Sequence, residues 1–158
     1  MLVSATRLKL SSLKFLMQFL FYSWRITQQA RKSPGFIQGK LLFDAHLTFW
    51  TLTAWDNLAS MKTFRNTGVH QRSMPLLSKW CNEACVAHWN SMERELPSWE
   101  DACDVLKKEG YYPPLKEPSL NQSTHIVAMP LSRQYREFCF EVSKDALISR
   151  RQLLLFLA

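Results

Sequence analysis

HLTFWTLTAWD (His46–Asp56) followed by NLASMKTFRNTGVHQRSMPLL (Asn57–Leu77) decides the fold of this 158-residue chain. The first stretch alternates β-branched and aromatic residues and reads as a strand from His46 to Trp55. The second has helical spacing, with Leu58, Met61 and Phe64 on one face and Asp56 as its cap. Asn66-Thr67-Gly68 breaks the helix, and Pro75 is expected to kink or end the segment that resumes at Val69.

Working outward, Phe36–Phe43 is a second strand, joined to the His46 strand through Asp44-Ala45 as an antiparallel hairpin. Leu2–Leu10 is a first strand. Leu13 to Ala30 is a helix with two apolar stripes: Leu13, Leu16, Met17, Leu20 and Trp24, and beside them Phe15, Phe19, Tyr22 and Ile26. An arc that wide implies a helix covered on two sides. Residues 84–92 alternate as a fourth strand, with Cys85, Ala87 and Trp89 on one side and Val86 and His88 on the other. Strand, helix, strand, strand, helix, strand is the ferredoxin-like α+β pattern, βαββαβ.

Beyond it, Ser98-Trp99-Glu100-Asp101 is a capping box for a helix to Glu109, closed by Gly110. The expected organisation is a domain over residues 1–110, a proline-containing linker over 111–124 and a C-terminal extension over 125–158. The extension holds candidate strands at 125–129 and 137–142 and a helix at 145–157.

Composition narrows the function. Hydrophobic residues make up 47% of the chain, enough for a real core, and ten Phe with six Trp suit bulky packing or a ligand cavity. The net charge of +7 is dispersed, and no nucleic-acid recognition motif accompanies it. The apolar run Leu13–Ile26 is interrupted by Lys14, Gln18 and Arg25, which argues against an integral membrane segment and for a cytoplasmic protein. The four cysteines form no CxxC pair. Cys81, Cys85 and His88 would share a face only if helical, so no metal site is expected. No Ser/His/Asp order or glycine-rich phosphate loop is present.

Thr53-Ala54-Trp55-Asp56 followed by Leu58, Met61 and Phe64 resembles the antibiotic-biosynthesis-monooxygenase-like superfamily of dimeric α+β barrels. Gly68-Val69-His70 with Met74, and Leu96-Pro97-Ser98-Trp99-Glu100, look most like the spheroidene-monooxygenase-like branch and its uncharacterised relatives. The likeness covers residues 2–110. It implies a homodimer formed by packing exposed sheet faces, and a pocket between sheet and helices. The function it implies is monooxygenase-like, on a flat apolar ligand that is either haem or an aromatic or isoprenoid substrate. The alternative is a non-catalytic small-ligand-binding or stress-related module. The cofactor is left open between haem and none. Met74 and Phe64 stand where the haem-degrading branch has its ligand and a ring-contacting Trp, so haem degradation is not expected. The candidate catalytic and cofactor-binding residue is His70, flanked by Phe64 and Met74, with Phe15, Phe19 and Tyr22 as the substrate wall.

Overall fold

The computed structural model describes residues 1–44, 46–129 and 135–142. Its strands are β1 (Leu2–Leu10), β2 (Phe36–Asp44), β3 (Thr48–Trp55), β4 (Cys81–Asn90) and β5 (Tyr135–Glu141). They form one antiparallel sheet in the order β4-β1-β3-β2-β5. Its helices are α1 (Leu16–Lys32), α2 (Leu58–Arg65), α3 (Gly68–Trp80), α4 (Trp99–Glu109) and α5 (Leu120–Ser123). The first four strands and α1 to α3 make the ferredoxin-like α+β unit; β5 lengthens its sheet at the β2 edge.

Local chemistry explains the boundaries. His46 lies in the hairpin turn rather than in the strand, because the buried Asp44 carboxylate accepts from the backbone amides of His46 and Thr48 at 2.9 and 3.1 Å. The cap of α2 is Asn57, not Asp56: its side-chain oxygen accepts from the Ser60 amide at 2.9 Å. Asp56 instead packs against Gly35, whose φ of +78° requires a glycine. Met61 and Phe64 are buried as expected, whereas Leu58 is exposed on the first turn of α2.

Pro75 does not end α3, which runs unbroken to Trp80. It sits on the exposed face with Gln71, so the carbonyl that loses its amide partner is open to solvent. The fourth strand begins three residues earlier than its alternation suggests, at Cys81. A strand there sends Cys85 and His88 to opposite faces, and among the described residues no cluster could hold a metal. Ser98 caps α4, as its sequence demands: the Asp101 amide donates to Ser98 Oγ at 3.0 Å, and that hydroxyl donates back to the Asp101 carboxylate at 2.6 Å.

The sheet is covered on both faces. On one side α1, α2 and α3 pack over Leu2, Leu10, Phe49 and Trp55. On the other, α4 lays Trp99, Ala102, Cys103 and Leu106 against Val3, Ala5, Leu42, Trp50, Leu52 and Cys85, with Val127 beside them. The expectation of a homodimer rested on that second face being open. Here it is closed by the chain's own α4.

Tyr111 pairs with Val86 through two backbone bonds, and the Ser119 amide donates to the Asn82 carbonyl, so the segment after α4 runs along the free edge of β4. Residues 125–129 form no strand; only Val127 of them is buried. The helix expected at 145–157 falls outside the described residues.

One apolar stripe of α1 is used as expected. Phe15, Phe19, Tyr22 and Ile26 face the sheet. The other is split: Leu16 and Leu20 pack against the Phe19 and Trp80 cluster, while Leu13, Met17 and Trp24 are exposed together with Phe21.

Candidate functional site

Between the sheet and α1 to α3 lies a cavity of about 330 Å³. Its floor comes from the strands' period of two. Ser4 and Thr6 of β1 stand directly opposite Thr53 and Thr51 of β3, so two cross-strand pairs put four hydroxyls under the helices. The Trp55 indole donates to Thr53 Oγ1 at 3.0 Å and fixes one of them. The walls are apolar: Phe19, Tyr22 and Ile26 from α1, Phe64 from α2, Met74 and Leu77 from α3.

His70 is the half-buried imidazole of this wall. Its ring lies edge-on to Phe64, centroids 4.8 Å apart. Nδ1 sits 3.1 Å from the Arg65 carbonyl oxygen, an acceptor only, so Nδ1 carries the proton and donates. Nε2 is then the basic nitrogen and has no hydrogen-bond partner among the described residues. Burial pushes the His70 pKa below its ordinary value of 6.5; the bond to the Arg65 carbonyl opposes this and the Arg65 charge adds to it. His70 is therefore a neutral base at pH 7.

The ring is held through Gln29 of α1. The Gln29 side-chain oxygen accepts from the amides of Val69 and His70 at 2.7 and 3.1 Å, and its NH2 donates to the carbonyls of Phe64 and Thr67 at 3.1 and 3.0 Å. One amide side chain thus satisfies a carbonyl of the last turn of α2, that of the α3 cap residue Thr67 and the first amides of α3 together. The turn between them needs Gly68, with φ +60°, and a methyl group there would lie 2.7 Å from Gln29 Oε1.

Of the residues expected at the site, Phe19, Tyr22, Phe64, His70 and Met74 line this one cavity. Phe15 does not; it ends the short 3₁₀ turn Leu13–Phe15 and packs with the Phe19 and Trp80 cluster. The hydroxyl floor, Gln29 and His88, which stands at the exposed part of the lining, come from the structure. The alternations Ser4-x-Thr6 and Thr51-x-Thr53 were the available signal for the floor.

The three buried thiols offer no nucleophile. Burial pushes Cys81 up to about 12 and raises Cys85 and Cys103 as well.

No protein-family model matches the chain, and no curated protein does. Solved structures do match. A putative antibiotic biosynthesis monooxygenase from Nitrosomonas europaea superposes with a TM-score of 0.53 at 14% identity, over 59% of this chain and 100% of its own. One from Deinococcus radiodurans gives 0.53 at 18%, over 62% and 99%. A conserved protein from Methanosarcina mazei gives 0.52 at 13%, over 57% and 91%. At these identities the match is one of fold: the chain has the fold of the antibiotic biosynthesis monooxygenase-like proteins.

Proposed function

We propose that the chain binds a flat, apolar aromatic molecule between its sheet and α1 to α3, and oxygenates it in a monooxygenase-like reaction. The observation that supports this is the cavity itself: aromatic walls, a hydroxyl floor and one neutral imidazole with an unpartnered Nε2. Such a site suits a planar phenol whose ring lies on Phe19, Tyr22 and Phe64 and whose oxygen meets a polar group. His70 Nε2 takes the phenolic proton and the floor hydroxyls stabilise the phenolate. The electron-rich ring then supplies the electrons that dioxygen needs. For 1-naphthol the balance closes as naphthol plus O2 giving naphthoquinone plus water: one oxygen atom enters the ring carbon and the other leaves as water. The fold shared with two putative antibiotic biosynthesis monooxygenases is consistent with this class.

The test is oxygen uptake by the full chain with 1-naphthol, alongside binding followed by fluorescence. His70→Ala is expected to lower turnover about 100-fold or more with a small change in unfolding midpoint. Wild-type activity is expected to fall with decreasing pH only once His70 protonates, below its ordinary 6.5, because burial holds its pKa down. Binding without oxygen uptake identifies a non-catalytic binding module. Naphthol that neither binds nor reacts overturns the reading for planar phenols.

One observation favours a second reading. His70 Nδ1 donating to a backbone carbonyl is the arrangement that orients a metal-bound imidazole. Were haem bound there, His70 would be the residue to hold its iron and Arg65, also on the lining, could pair with a carboxylate of the group, which would supply redox chemistry at iron. A Soret band on reconstitution that is lost in His70→Ala supports it; an unchanged free-haem spectrum rejects it.

A further inference from the structure

We propose that the outer side of the α1 to α3 layer docks on an anionic phospholipid surface. Three observations meet there. The first is an exposed apolar row along α1 and the turn before it: Leu13, Met17, Phe21 and Trp24 are 66%, 62%, 52% and 36% exposed among the described residues. Spacings of four, four and three put them on one side of the helix, a row about 17 Å long at 1.5 Å per residue. Four large apolar side chains in a line differ from the scattered exposed leucine that any protein surface carries.

The second is charge. The segments Leu13–Lys32, α2 and α3 hold eight basic residues, four on the first and two on each of the others, and no acidic one. The first acidic residue of the whole chain is Asp44. The opposite face is net acidic instead, with Glu100, Asp101, Asp104 and Glu109 on α4 against Lys107 and Lys108. The overall charge of +7 is therefore polarised toward one layer.

The third is how the two are arranged. Lys14 and Arg25 flank the row, and the Arg25 guanidinium lies 5.7 Å from the centre of the Phe21 ring. Arg31 and Lys32 follow at the C-terminal end of α1. A row of Leu, Met, Phe and Trp edged by cations places its apolar side chains at headgroup depth while the cations meet lipid phosphates.

A second copy of the chain is a poorer occupant. A two-fold contact through this face would set basic residues against basic residues. The helix needs no length to span a bilayer for this role, and no described helix is long and apolar enough to cross one. The proposal goes beyond the cavity reading and does not depend on what the cavity holds, although α1 serves both: its inner side walls the cavity and its outer side carries the row.

The experiment is co-sedimentation of the full chain with phosphatidylcholine vesicles, with and without phosphatidylserine, at low and high salt. Binding is expected only with phosphatidylserine and is expected to weaken as salt rises. The triple substitution Met17→Ser, Phe21→Ser, Trp24→Ser and the double substitution Lys14→Glu, Arg25→Glu should each weaken it roughly tenfold or more. All five positions are exposed, so the unfolding midpoints should stay close to wild type. No binding to phosphatidylserine vesicles at low salt overturns the proposal. So does binding that the triple variant leaves intact. Self-association that the triple variant abolishes, without vesicle binding, identifies a second copy as the occupant and also overturns it.

Discussion

The two faces of the sheet are built from the same strands and end up doing opposite things. Toward α4, β1 to β4 present Val3, Ala5, Leu42, Trp50, Leu52 and Cys85, and α4 answers with Ala102, Cys103 and Leu106; all of these side chains are sealed from solvent. Toward α1 to α3, β1 and β3 present Ser4, Thr6, Thr51 and Thr53 in the middle and large aromatics only at the ends. Small residues on α4 let helix and sheet approach until nothing is left between them. Aromatic residues on α1 and α2 hold their helices off a polar floor and leave a cavity. The lesson is that the gap is specified by residue type on both of its sides, with Phe36, Trp55 and Phe64 closing one end and Phe19, Phe49 and Trp80 the other.

The α4 side also carries the one buried ion pair among the described residues. Arg7 Nη1 donates to Glu83 Oε2 at 2.7 Å, with both side chains nearly sealed. Ser119 and Asn121 donate to the other carboxylate oxygen at 3.1 and 3.3 Å. Burial on its own raises the Glu83 pKa, but the hydrogen bond and charge of Arg7, aided by Lys9 and Ser119, hold it below the usual carboxylate range. Glu83→Gln leaves a buried guanidinium without its counter-ion and should cost about 3–5 kcal/mol, read by urea unfolding at pH 7. The same group sets an acid limit. Its folded pKa is depressed, so its stabilisation is complete above the ordinary value of 4.5 and is lost as pH falls through the folded value. The variant should therefore lose less stability between pH 7 and acid than the wild type does. Equal loss in both would move the acid sensitivity elsewhere.

Leu106→Ala is the next largest change expected. Leu106 is wholly buried at the centre of the α4 contact, and truncation should cost about 2–5 kcal/mol. It should leave naphthol affinity per folded molecule unchanged, because the sheet stands between it and the cavity. A parallel loss of affinity would show that the two faces are coupled through the strands.

Thr51→Val reverses the pattern and should be the mildest for stability. The two side chains are nearly isosteric, and the Thr51 hydroxyl faces the cavity with no protein partner among the described residues. The unfolding free energy should stay within about 0.5 kcal/mol of wild type. Naphthol affinity should drop, since a phenolate would lose one of its donors. An unchanged affinity would remove Thr51 from the polar floor as a binding element.

Several elements were legible from their own residues. Ser98-x-x-Asp101 defined the start of α4 to the residue, because a cap is a local hydrogen bond. The alternation of Cys85, Val86, Ala87 and His88 assigned each to its face, because a strand has no other choice. The order of elements gave the βαββαβ pattern, which the structure arranges as β4-β1-β3-β2 with β5 added at the β2 edge. Pro75 and Leu58 were misread for a common reason: helical pattern says which residues share a face, and only packing says whether that face meets the core or water.

The sequence by itself determined the βαββαβ unit and its hairpin, the Ser98 cap of α4, and a set of apolar residues with His70 that was bound to sit on the helix side of the sheet. These rest on interactions within a few residues or on strict periodicity. The tertiary structure alone decided that α4 closes the second sheet face, that Gln29 bridges α2 and α3 from 35 to 41 residues away, and that Ser4 meets Thr53 and Thr6 meets Thr51 across two strands. It also decided that Leu16 and Leu20 of the second apolar stripe pack inward while Leu13, Met17 and Trp24 stay in water. Each depends on which distant surfaces meet, and a pattern along the chain carries no record of its partner.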